Sequence, residues 1–376
     1  MTSVNGPTAA HDGLDRPVLE LGSAPGFPIV VEVAVHEGPI SGIATSSDGT
    51  RLLVTNYGND CVSVIDTHSC RVVETIAGID EPFAIAVGSE NAERAYVSAV
   101  SAAYDSIAVI DLPTGAVVAT HPVALSVTDL AVSPDGRHVY ASRNAARGAD
   151  VAALDTTTGD VEALDIATTP GTTAACVRVS PDGDRLYVGT NGPAGGRLIV
   201  IGTRGPSRSK AGQTGLSVVG TVDIGLPVRD VALSPNGAVA YVASCDPGLG
   251  AVVDVVDTTT HKIVGTRKLG ETGGNLTGLT LSRDGDRAYL VSDDGIAVLC
   301  TLTHDVVGTV TGANRPSCVV ESPDAKYLYI ADYSGRVTLA AVASIVALGT
   351  ETAAPEAQVP TDWVTPELLQ YEPALA

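Results

Sequence analysis

A chain of 376 residues in which 44% of side chains are hydrophobic and only 17% are charged can bury a large core. Its formal charge of −21 repels phosphate backbones, which sets it against nucleic acid as a partner. Its longest apolar run, VTLAAVASIVALG at 337–349, falls short of the ~20 residues that span a bilayer, so no membrane partner is expected.

Glycine (40) and proline (22) are abundant while Phe (2) and Trp (1) are scarce, a mixture that favours short strands and tight turns. The opening MTSVNGPTAAHDGLDRPVLELG lacks a basic segment followed by an apolar one, so no secretory signal is expected there. Cysteines 61, 70, 176, 245, 300 and 318 form no CxxC pair and no zinc-type cluster with His. Unpaired thiols fit a reducing compartment, and the expectation is a cytoplasmic monomer.

Residues 1–26 read as an extension, and FPIVVEVAV (27–35) as the first strand. A turn then recurs: SSDG at 46–49, a degenerate SENA at 89–92, SPDG at 133–136 and 180–183, SPNG at 234–237, SRDG at 282–285 and SPDA at 322–325. Proline presets φ in such a turn, Asp or Asn supports the bend, and Gly takes the left-handed position. A large apolar residue follows each turn at a fixed distance: Leu53, Tyr96, Tyr140, Tyr187, Tyr241, Tyr289 and Tyr329. Each copy continues with an alternating strand, a polar loop, a strand usually ending Asp-Thr, a second turn and a fourth strand.

Four short antiparallel strands repeated seven times at about 40–54 residues mean propeller blades. The expected fold is all-β, a seven-bladed β-propeller spanning 27–345. The last copy lacks a clear fourth strand, so the strand at 27–35 is expected to complete its blade and close the ring. Residues 346–376 are expected to form a surface tail, pinned by Trp363 and Leu368. The stretch RGPSRSKAGQTG at 204–215 reads as a basic rim insertion in the fourth blade.

The copies LAVSPDGRHVYASRN, VRVSPDGDRLYVGTN and VALSPNGAVAYVAS resemble bacterial YVTN-type (YncE-like) seven-bladed propellers over residues 27–340. The matching residues are scaffold, so the resemblance implies the fold and leaves the function open. Many such relatives are exported or surface-attached.

In a propeller the innermost strand of each blade lines a central channel. The loops leading into that strand and those joining strands two and three share one face, which we call the channel face. Six residues before the turn Asp or Asn, the copies carry Gly42, Asp129, Cys176, Asp230, Gly278 and Cys318, with Ala84 in the second copy. Two aspartates thus break a small-residue rule. Carboxylates there would hold a divalent metal, orient hydroxyls, act as a base, or cap their own loops. Arg178 and Glu321 place charge inside inner strands and call for partners, while Arg229 precedes Asp230. Glu81, Asn275 and Arg315 lead into inner strands on the same face. Asn56, Tyr57, Arg143, Asn144, Asn191 and Tyr333 lie in or beside the loops after strand two. His68, His261 and His304 fall at turns on the opposite face, in different blades, where they cannot share one metal.

There is no HExxH, GxSxG or phosphate-binding loop. The expected function is therefore a noncatalytic scaffold that binds a protein or small ligand at the channel face, without a cofactor. The alternative is a hydrolase or lyase at the channel mouth, lactonase-like or metal-dependent, that uses Asp129, Asp230 and Arg229. A GPRH-type lactonase motif is absent, the nearest text being GPSR in the rim insertion.

Overall fold

The computed structural model describes residues 27–342 except 89–92, 102–103, 125, 146, 205–214, 271–274 and 311. The expected N-terminal extension, the C-terminal tail with Trp363 and Leu368, the SENA turn and nearly all of the basic insertion lie outside the described residues.

The described residues form 28 strands and one turn of 3₁₀ helix, Tyr57–Asn59. None of their helices is long and apolar enough to cross a membrane. The strands make seven antiparallel sheets of four. Blades 1 to 6 run consecutively from Ile43, each pairing inner strand to outer strand in sequence order. Blade 7 takes Pro316–Glu321, Tyr327–Asp332 and Arg336–Ala341, and its outer strand is Ile29–Ala34. There Val33 pairs with Val337 and Ala34 with Arg336, so the first strand closes the last blade. Inner strands of successive blades touch all round the ring, from blade 7 back to blade 1.

The repeated turn works the same way in the six copies whose turns are described. Its serine hydroxyl donates to the Asp or Asn two residues on, at 2.6 Å for Ser46–Asp48, 2.5 Å for Ser180–Asp182 and 2.7 Å for Ser234–Asn236. The same hydroxyl accepts the amide that starts strand two, as in Arg51 N to Ser46 Oγ at 2.9 Å. Where the turn of the preceding blade carries a proline, the turn glycine seats against it. A Cβ on Gly285 would lie 2.6 Å from the Cδ of Pro235, and one on Gly49 3.1 Å from that of Pro323, so these positive-φ positions require glycine twice over.

The residue at fixed distance from the turn fills the space between blades. Seven hydrophobic clusters separate the sheets, and each holds one of them: Leu53, Tyr96, Tyr140, Tyr187, Tyr241, Tyr289 or Tyr329. All seven are buried. No blade has a core of its own. Each cluster needs two neighbours, which is why the repeat must close into a ring to be stable.

Candidate functional site

Five inner strands carry a bulge at the same place. The register slips between Val127 and Asp129, Ala174 and Cys176, Val228 and Asp230, Leu276 and Gly278, and Pro316 and Cys318. The bulged residues are Thr128, Ala175, Arg229, Thr277 and Ser317, and a bulge re-aims the side chain it carries. Ser41 and Phe83 hold the equivalent place in blades 1 and 2. All seven line one cavity of about 750 Å³ in the channel.

Just inside this ring lie the two aspartates, and Arg178 from the blade between them joins both. Its guanidinium donates to Asp230 Oδ1 at 2.6 Å and to Asp129 Oδ2. Each carboxylate also bridges blades through backbone amides. Asp129 accepts from Leu130 N at 2.9 Å and from Val177 N of blade 4 at 3.0 Å. Asp230 accepts from Val231 N at 2.7 Å and from Leu279 N of blade 6 at 2.8 Å. Four blades are thereby knitted at the axis. Burial opposes the Arg178 charge, but the two aspartates outweigh it and raise its pKa. Burial raises the Asp230 pKa despite the neighbouring cation. Beside them, burial pushes the Cys176 thiol far up, which makes it inert at neutral pH.

The guanidinium occupies the place between the carboxylates that a shared cation would take, and two amides engage each carboxylate besides. Among the described residues no three His, Cys, Asp or Glu side chains gather closely enough to share a metal ion.

No protein-family model matches the sequence. The seven-bladed β-propeller protein Rv1057 of Mycobacterium tuberculosis is 55% identical over 395 aligned positions that cover all of both chains. The chain belongs to the seven-bladed β-propeller proteins. A second member, from Mycolicibacterium smegmatis, is 37% identical over 273 positions, which cover 73% of this chain and 70% of that one. Among solved structures, Kuenenia stuttgartiensis hydrazine synthase superposes with a TM-score of 0.69 at 20% identity. It covers 81% of this chain and 95% of that one, a likeness of fold.

The remaining candidates of this propeller are dispersed round the channel face. Arg143 is buried and grips Asp150 with two bonds, 2.7 and 3.0 Å, while also donating to the Val123 carbonyl of blade 2. Asn144 accepts the Ala174 amide of blade 4 at 2.9 Å. Asn191 accepts from Val228 N at 2.7 Å and donates to Val228 O at 2.8 Å, in blade 5. Asp105 and Asp60 likewise accept from Val127 N and Glu81 N, so blades 1 to 4 each clasp the next through one side-chain oxygen. Tyr57 donates to Glu81 at 2.8 Å, a bond that raises the Tyr57 pKa, and both are exposed. Asn275 donates to Asp293 at 3.2 Å, and Arg315 stacks 5.5 Å from the Tyr333 ring. Asn56 is buried with its Oδ1 unpartnered. Glu321, expected to need a partner, finds two that are uncharged: the Tyr289 hydroxyl at 2.8 Å and the Arg283 amide at 2.7 Å.

Sequence reasoning flagged Arg229 but missed the other six residues of the ring. The signal was present one place before each small-residue position. Its meaning depends on the bulge, which no periodicity displays.

Proposed function

We propose that this propeller is a noncatalytic scaffold that binds a protein or small ligand at its channel face. One observation carries the reading. Among the described residues every exposed Phe or Tyr ring, Tyr57, Phe83, Tyr104 and Tyr333, sits on channel-face loops of blades 7, 1 and 2. Large rings offered to solvent on the loops of one face are the side chains that anchor interfaces. The polar residues that would perform chemistry are engaged inside the fold instead. A base or a metal ligand needs free lone pairs, and those of Asp129 and Asp230 face Arg178 and four amides.

The repeats further support placement within the YVTN-type (YncE-like) group, and six cysteines without a disulfide support a reducing, cytoplasmic setting. The test is a variant carrying Tyr57→Ser, Tyr104→Ser and Tyr333→Ser, purified beside wild type and an outer-strand control, Val73→Ser. Native mass spectrometry and cross-linking are expected to show the wild type and the control retaining the same bound species and the triple variant losing it. Equal retention by all three would refute the reading.

A further inference from the structure

The ring at the channel mouth is uneven. Three of its hydroxyls turn into the walls: Ser41 donates to the Phe83 carbonyl at 3.1 Å, Thr128 pairs with Ser142 Oγ at 2.8 Å, and Thr277 donates to the Val291 carbonyl at 3.4 Å. Ser317 sits beside the Cys318 sulfur, and Ala175 has no polar group. Two members are different. Arg229 is exposed and anchored at one point, its Nε donating to Cys245 Sγ at 3.1 Å. Its two terminal nitrogens have no hydrogen-bond or ion-pair partner among the described residues. Phe83 is 42% exposed. It stands in blade 2 and Arg229 in blade 5, three blades apart in a ring of seven and so nearly opposite across the cavity.

A guanidinium held by Nε presents its other two donors as a fork, the geometry that matches a carboxylate. The neighbouring aspartates form no ion pair with it, because both are turned to Arg178 and to amides. A phenyl ring offers the opposite pole an apolar face. The cavity, about 750 Å³, has the volume of a small-molecule site.

We infer that the channel mouth binds a small flat organic carboxylate, its anionic end on the Arg229 fork and its apolar body towards Phe83. This deepens, and rests on, the reading of the channel face as the binding face.

Benzoate is the minimal probe, followed by ligand-observed NMR titration on the whole chain. A probe of this size is expected to saturate with a dissociation constant on the order of 1 mM. Acetate, which lacks the ring, and benzamide, which lacks the charge, should each bind at least roughly tenfold more weakly. Arg229→Gln should weaken benzoate roughly ten- to a hundredfold. Arg229→Lys, which keeps the charge without the fork, should fall between Gln and wild type, and Phe83→Ala should bring benzoate down to the acetate level. Both side chains are exposed, and unchanged circular dichroism and melting midpoints would show that the variants fold. The inference is overturned if benzoate does not saturate, if acetate matches it, or if Arg229→Gln leaves it unchanged. Those results would leave the scaffold reading standing as long as the triple tyrosine variant still loses what the wild type retains. Failure of that triple-variant test would remove the reading itself.

Discussion

The arc from blade 3 to blade 6 and the arc from blade 7 through blade 2 use one repeat and are held together by different means. In the first, Asp129, Arg178 and Asp230 run from blade to blade at the axis and end on the Leu279 amide. In the second, the equivalent positions are Cys318, Gly42 and Ala84, which have no carboxylate to reach across. Among the described residues the axis there carries no ionic link, and the blades meet through apolar clusters like those of the first arc. Blade 1 clasps blade 2 through loop contacts such as Asp60 to the Glu81 amide, and the ring is closed by the strand Ile29–Ala34. The four exposed rings stand over this second arc. A buried ionic link needs every lone pair and proton matched, so it fixes its neighbourhood. Small residues at the axis impose no such demand, and the loops above them have room to carry side chains for another purpose.

The largest expected effect breaks the first arc. Arg178→Met leaves two carboxylates facing each other and should cost roughly 2–4 kcal/mol in urea unfolding at neutral pH. That is below the full loss for a buried pair, because 31% of the Arg178 side chain still reaches solvent. Hydrogen exchange should quicken in blades 3 to 6 and hold steady in blades 7, 1 and 2. Equal loosening everywhere would dissolve the distinction between the arcs.

Val33→Ala is the corresponding cut in the second arc. Val33 is buried against blade 7 in the closing strand, and removing its methyl groups should cost about 2 kcal/mol. Exchange should now quicken in blades 7 and 1 first.

Acid should reach both arcs through their turns. The turn aspartates Asp48, Asp135, Asp182, Asp284 and Asp324 are held below the usual carboxylate range, first of all by their serine hydroxyls. Their folded pKa values lie under the unfolded ones, so their contribution is complete above about pH 4 and is lost as the pH falls through the folded values. Asp230 has the opposite sign: its raised pKa makes its charge costly, and protonation relieves that cost. A melting midpoint that falls steadily below about pH 4 is expected from differential scanning fluorimetry. A midpoint independent of pH there would show that the turns contribute nothing. The smallest effect is Tyr57→Phe, which removes an exposed bond to Glu81 and should leave the urea unfolding midpoint almost unchanged. A marked drop would mean that the second arc is stapled too.

The fold was legible because the turn and its tyrosine recur in phase, and each has a physical task that leaves little freedom. Asp129 and Asp230 were legible as exceptions to that phase. That Arg178 joins them was not, since the partners lie 49 and 52 residues away and meet only once three blades stand side by side. Asn144 and Asn191 read as channel-face polar residues. Their oxygens instead turn to amides of the following blade, a direction set by the closed ring and by nothing local. The inter-blade clasps and the bulge ring belong to this same class of information.

The pairing of Glu32 with Arg336 joins residues 304 apart. The first strand of the ring is therefore paired with the last one made, and closing so long a loop costs about 5 kcal/mol in chain entropy. Until the ribosome has delivered Arg336–Ala341, the segment Ile29–Ala34 has no partner strand, and the growing molecule carries open strand edges. A nascent ring of this design is exposed to mispairing for as long as its blades are being made, and its edges are covered in a single closing step.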